Sequence, residues 1–108
     1  VEPAIRTRYE IRAGIMKALA HPTRLYIVDQ LAERERCVQE LADMVEADLS
    51  TVSRHLAQLK HAGIVAAEKR GTQVFYSLRV PCVLGWQSCV EGVLEAETQR
   101  HRIALGGT

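Results

Sequence analysis

The 108-residue chain has no run of 18 or more apolar residues, and its first residues lack the charged-then-apolar pattern of a secretory signal. A soluble, cytoplasmic protein is therefore expected. Cysteines are few: three is an odd number and too sparse for a secreted disulfide scaffold, so they are expected to be free thiols, metal ligands or redox groups in a reducing compartment. Also missing are a glycine-rich phosphate loop, a His-x-x-x-His metalloprotease arrangement, paired acids with a plausible cleft, and any base placed to orient a cysteine nucleophile. These absences argue against an enzyme and against an obligate small-molecule substrate. With no internal repeat and no disordered linker, residues 1–108 are expected to form one domain. Its core would be small enough that a partner subunit helps to stabilise it.

What is present is an uneven distribution of charge. The net charge of +1 is uninformative, because affinity for a phosphate backbone depends on local charge. Residues 38–49 carry Glu40, Asp43, Glu46 and Asp48 and no Lys or Arg, whereas residues 50–73 carry Arg54, Lys60, Lys69 and Arg70 against Glu68 alone, with His55 and His61 in addition.

Hydrophobic spacing supplies the elements. Tyr9, Ile11, Ile15, Met16 and Leu19 fit an amphipathic helix over 8–19, and Leu25, Ile27, Val28 and Leu31 a second one opened by Pro22. The run Glu33-Arg34-Glu35-Arg36 is too polar for a core and reads as an exposed helix end and connector. Val38, Leu41, Ala42 and Val45 predict a short third helix. A fourth would have Ser50 as N-cap, Val52, Leu56 and Leu59 facing inward, Leu49 in the hinge before it, and Gly63 as its stop. Ile64 to Lys69 and Thr72 to Leu78 read as two strands around Arg70-Gly71. Residues 83–105 complete the pattern with a fifth helix, whose apolar candidates include Trp86, Val90, Val93, Leu94 and Ile103. The order is helix, helix, helix, helix, strand, strand, helix: mainly α with a small β-hairpin, a winged helix-turn-helix with its helix-turn-helix at 38–62 and wing at 64–78.

In such a fold the second helix of the pair enters the major groove with its N-terminal residues facing base edges. The candidates are Ser50, Thr51, Ser53, Arg54 and Gln58, since hydroxyls bond bases or phosphates, Arg54 can fork onto guanine, and glutamine pairs with adenine. Helix N-terminal amides would add phosphate contacts. His55 and Lys60 are further candidates for phosphate contact, and Lys69, Arg70, Thr72 and Gln73 sit where a wing would touch the backbone or minor groove. His21, beside a helix start, reads as a cap or packing group.

The segments Leu19-Ala20-His21-Pro22-Thr23-Arg24-Leu25, Glu40-Leu41-Ala42 and Thr51 to Val65, with Gly71, Val74, Tyr76 and Leu78, resemble the ArsR/SmtB family of metal- and metalloid-responsive repressors. The resemblance covers about residues 9 to 80. It implies a homodimer, paired through helices 8–19 and 83–105, that occupies a near-palindromic stretch of double-stranded operator DNA without inducer and leaves it when inducer binds.

Cys37, Cys82 and Cys89 are the candidate sensor. Three thiols suit trigonal As(III) or Sb(III), and thiolates also bind Cd(II), Pb(II) or Zn(II), usually with an extra ligand. Residues seven apart in one straight helix lie about 10 Å apart along its axis. Either Cys82 therefore sits in a non-helical lead-in, which Pro81 and Gly85 make possible, or the two later cysteines serve different clusters. Arg34 and Arg36 flank Cys37 and would favour its thiolate. Many arsenical sensors of the family carry Cys-Val-Cys near the start of the third helix; this chain matches only at Cys37 and has Gln39 in the second place. The family's Asp/His and His/Glu arrangement across the last helices is also poorly matched, since His101 with Glu97 lacks the matching partner. Other members place a metalloid-binding group of cysteines near the final helix, and the Cys82/Cys89 pair, completed by Cys37 from the same or the opposite subunit, resembles that variation. Other readings are buried structural thiols, a redox or reactive-sulfur sensor linking two cysteines, and a non-sensing architectural DNA-binding module.

Overall fold

The computed structural model describes residues 1–80 and 83–104, with part of the last helix described by its backbone alone. The elements are α1 (Pro3–Leu19), α2 (Pro22–Glu33), β1 (Arg36–Cys37), α3 (Val38–Val45), α4 (Leu49–His61), β2 (Val65–Arg70), β3 (Gln73–Leu78) and α5 (Val83–Ala104). The five expected helices and the hairpin are present. No helix of the described residues is long and apolar enough to cross a membrane.

The connector departs from its expected form. Arg36 and Cys37 pair antiparallel with Tyr76 and Phe75, so the wing is a three-stranded sheet in the order β1-β3-β2. Arg36 was expected to be exposed, yet it is 8% exposed. Burial is possible because its guanidinium is satisfied: Nε donates to the Gln30 carbonyl at 3.1 Å, and Nη2 donates to Gln30 Oε1 at 3.3 Å and to Glu33 Oε2 at 2.9 Å.

The core takes one stripe from each central helix. Ile27, Val28 and Leu31 of α2, Leu41 and Ala42 of α3, and Val52, Leu56 and Leu59 of α4 meet Leu19, Ile64 and Val65. The α4 positions recur at the spacing of one helical face, and all three are fully buried. Removing each such side chain from water contributes about 1.5–3 kcal/mol. Tyr76 and Leu78 of β3 pack on this cluster from the sheet.

Two ends of α4 fix its position. Val52 N–H donates to the Asp48 carbonyl at 3.2 Å, so the helix begins at Leu49, and Asp48 rather than Ser50 holds the N-cap position. Leu49 is therefore the first helical residue and is exposed instead of filling the hinge. At the other end, Gly63 N–H donates to the Lys60 carbonyl at 2.9 Å and Ile64 N–H to the Leu59 carbonyl at 3.0 Å. This bond pair is the Schellman arrangement; Gly63 takes its left-handed position at φ +81° while Ile64 and Leu59 both enter the core.

The first helix starts earlier than its apolar spacing suggests, with Pro3 in its first turn. Of its expected inward residues only Leu19 is buried; Tyr9, Ile11, Ile15 and Met16 are exposed, as are Val90, Val93 and Leu94 of α5. The expected end of α5 at Leu105 lies outside the described residues, as do the side chains of Trp86 and Ile103.

The conformation of Gly63 makes a stability prediction. A Cβ at this φ costs about 1–2 kcal/mol. Gly63→Ala should lower the thermal midpoint by roughly 4–8 °C per kcal/mol for a domain of this size. An unchanged midpoint in a calorimetric or circular dichroism melt would show that the left-handed stop does not hold the end of α4.

Candidate nucleic-acid interface

The acidic turn between α3 and α4 is tight: Glu46 adopts φ 55° after the last residue of α3. Asp48 then receives the Ser50 hydroxyl at 2.5 Å. Hydrogen bonds from the Ser50 and Thr51 hydroxyls hold the Asp48 carboxyl below its ordinary range. An anion thus already occupies the neighbourhood of the α4 N-terminus, and the phosphate contact expected at its amides would have to share that space with Asp48.

Burying Val52, Leu56 and Leu59 turns the opposite face of α4 outward. Ser50, Ser53, Arg54 and Gln58 are exposed there, Lys60 is exposed at the flank of the buried stripe, and Thr51 is half-buried. Lys69, Arg70, Thr72 and Gln73 are exposed at the wing. The hairpin closes through Gly71 and Thr72 between the paired Arg70 and Gln73, and Gly71 has φ +65°, as a two-residue II′-type turn requires at its first position. A concavity of about 400 Å3 joins the two elements, with Ser53 of α4, Thr72 and Gln73 of the wing, and Cys37 and Val38 beneath them in its lining.

His55 differs from the expectation of phosphate contact. It is half-buried, its ring lies 4.4 Å from that of His21 between centroids, and its Nδ1 accepts a hydrogen bond from Arg24 Nε at 3.1 Å. Burial, then the neighbouring His21, Arg24 and Arg54, push its pKa down, favouring the neutral ring that Arg24 needs as an acceptor. Arg24 also donates to the Ala18 carbonyl at 3.2 Å, so His55 ties the reading helix to the junction of α1 and α2. His21 caps α2, accepting the Thr23 amide on its Nδ1 at 3.1 Å. His61 and His101 are exposed.

Arg70 is engaged at the wing. It pairs with Glu35 through both of its terminal nitrogens and with Glu68 at 3.0 Å, and its guanidinium lies 4.9 Å from the Phe75 ring centroid. These contacts hold both carboxyls below their ordinary range and raise the Arg70 pKa. Sequence reasoning missed Glu35 because its partner is 35 positions away. The Glu68/Arg70 pair carried a signal, since residues two apart in a strand share a face.

The cysteines occupy unlike settings. Cys37 is buried at the N-cap of α3, where its amide donates to Glu40 Oε1 at 3.3 Å within a capping box. Arg34 binds Glu40, and Arg36 binds Glu33, so carboxylates offset the cationic surroundings expected around this thiol. Hydrogen bonds from Arg34 and then the Cys37 amide hold the Glu40 carboxyl below its ordinary range. Cys89 is exposed on α5. Cys82 lies outside the described residues. Among the described residues, no three His, Cys, Asp or Glu side chains are grouped closely enough to hold a metal ion.

Comparison with known proteins agrees with this architecture. The family "Bacterial regulatory protein, arsR family" matches residues 21–67. The HTH-type transcriptional repressor SmtB of Mycobacterium tuberculosis is 42% identical over 76 residues, which are 70% of this chain and 56% of that protein's length. The HTH-type transcriptional regulator Rv0081 of the same species is 40% identical over 90% of this chain and 85% of its own. Among solved structures, the homodimeric winged helix-turn-helix domain of Mb0332 from Mycobacterium bovis superposes with a TM-score of 0.79 at 31% identity, covering 94% of each chain. The family and these relatives are regulators rather than enzymes, and the chain belongs to the arsR family of DNA-binding bacterial regulatory proteins.

Proposed function

We propose that the chain is a cytoplasmic, homodimeric transcriptional repressor that occupies a near-palindromic operator and leaves it when a thiophilic inducer, foremost As(III) or Sb(III), binds cysteine thiolates. The observation that carries the DNA half is the exposed polar ridge Ser50, Ser53, Arg54 and Gln58, backed on the same helix by the buried stripe Val52, Leu56 and Leu59. Arg54 and Gln58 are the base readers, for guanine and adenine edges, while Ser50, Ser53 and Lys60 bond edges or phosphates. Lys69, Arg70, Thr72 and Gln73 follow the backbone beside the groove. Thr51, in the first turn of α4, is a further candidate for an edge or phosphate bond, and His55 serves as a brace.

Pairing of two subunits covers apolar surface that one subunit leaves in water. Tyr9, Ile11, Ile15 and Met16 on α1, with Val90, Val93 and Leu94 on α5, supply that surface. The homodimeric form of the Mb0332 domain supports this pairing. Two copies of α4 would then read half-sites about 34 Å apart, one turn of the duplex.

The inducer half rests on thiol chemistry. Three soft donors suit As(III) or Sb(III), with Cd(II), Pb(II) and Zn(II) as weaker candidates. Cys37 and Cys89 do not complete a site with other described residues of one subunit. The assignment of Cys37, Cys82 and Cys89 therefore requires Cys82, a partner subunit, or both. Cys37 begins α3 and lines the concavity under Ser53, which gives a bound ion a short route to the reading helix. Redox or reactive-sulfur sensing is the second reading, favoured by the exposure of Cys89, because it needs only two thiols.

Arg54→Ala should weaken binding to a selected palindromic operator by roughly 5- to 150-fold for each half-site it reads, and leave binding to random duplex little changed. Equal affinity of the wild type for both duplexes in anisotropy titrations would favour the architectural reading instead. For the sensor, release of the operator by arsenite should be lost or strongly blunted in each of Cys37→Ser, Cys82→Ser and Cys89→Ser. If all three variants still release DNA as the wild type does, the thiolate site is wrong; release by a persulfide donor but not by arsenite would select the redox reading.

A further inference from the structure

The wing arginine is held by acids. Strand register places Cys37 beside Phe75 and Phe75 beside Glu68, so residues alternating with these share one face of the sheet. Glu35, Glu68, Phe75 and Arg70 therefore stand together on the face turned away from Tyr76, Leu78 and the core. Glu35 grips the Arg70 fork with both carboxylate oxygens, Glu68 takes a further bond at 3.0 Å, and Phe75 lies against the guanidinium. Two carboxylates thus surround one guanidinium at the end of β2, next to the turn that would approach DNA. Lys69, on the other face beside Val74, has no part in this cluster.

We propose that Glu35 is an acidic latch on the wing, holding Arg70 in the free protein and competing with the DNA backbone for it. The inference rests on the reading of Arg70 as a backbone contact. All three charged side chains of the latch are at least 42% exposed. Exposure leaves the guanidinium accessible and screens its pairing, so a phosphate, which accepts the same two-pronged bond, can compete with the carboxylate for it. Once displaced, Glu35 faces the phosphate as a like charge, so the latch limits affinity both before and after transfer. Because Glu35 precedes β1 and Cys37 lies in β1, the latch joins the strand that leads into α3 to the tip of the wing.

The test is a double-mutant cycle on the intact chain, with a fluorescein-labelled mixed-sequence duplex titrated at several salt concentrations and each variant's fold checked by a circular dichroism melt. Arg70→Ala should weaken binding and reduce the salt slope by about two per bound dimer, about one for each wing. Glu35→Gln should tighten binding about two- to fivefold, and this gain should be clearly smaller in the Arg70→Ala background, where only the like-charge repulsion of the phosphate remains to be relieved. Glu68→Gln serves as a second variant and should tighten binding in the same direction. Weaker or unchanged binding by Glu35→Gln, or an equal gain with and without Arg70, would overturn the latch while leaving the wing contact in place. If Arg70→Ala changes neither affinity nor slope, the wing reading itself fails and the latch falls with it.

Discussion

Everything at the interface depends on the burial of one side of α4. Val52, Leu56 and Leu59 are fully removed from solvent among side chains from α2, α3 and the sheet, and this fixes the rotation of the helix about its axis. Once that rotation is set, Ser53, Arg54 and Gln58 face outward without further instruction. The Gly63 stop and the Asp48 start then fix its length, and Ile64 delivers the chain directly into β2. The wing is consequently placed by the same core that orients the reading helix. Arg24 and His55 reinforce this placement, tying the half-buried side of α4 to the α1–α2 junction by a single hydrogen bond to a neutral ring.

Much of this was legible in the residues. A three-position apolar stripe with a glycine after the last turn is a strong local signal, and both the helix and its end follow from it. The hairpin followed from alternation around Arg70-Gly71. What escaped was decided by contacts distant in sequence. Two residues are too few to show a strand period, so β1 could not be read, and Arg36 looked like surface because its partners on Gln30 and Glu33 become visible only in the fold. His55 reads as a phosphate candidate in the sequence, and its partners His21 and Arg24 become visible only in the fold. Ser50 is a residue type that caps helices by accepting a backbone amide, but in the fold its hydroxyl instead donates to the Asp48 carboxylate, and the helix has already begun at Leu49. On α1 the apolar spacing was correctly helical, but spacing alone does not reveal whether a stripe meets its own core or another subunit.

The cysteines illustrate a different limit. Their number and softness indicate a class of ligand, but a site is a matter of distance. Cys37 is buried as part of the start of α3, and Cys89 is exposed on α5, so the chemistry that unites them in composition requires more than one subunit's described residues to unite them in space. The position of Cys37 nevertheless has mechanical meaning. It belongs to β1, begins α3 and lies beneath the space between α4 and the wing. A change there reaches three elements at once, which is the property an input to the DNA surface needs.

On the proposed reading, the outward face of α4 and the wing form one DNA-binding surface. Backbone amide chemical shifts recorded on the protein while an operator duplex is added test it most directly. The largest changes should fall on Ser50 to Gln58 and on Lys69 to Gln73, with Val52, Leu56 and Leu59 remaining protected from solvent exchange. Changes concentrated on α1 or α5, with α4 and the wing unaffected, would contradict it.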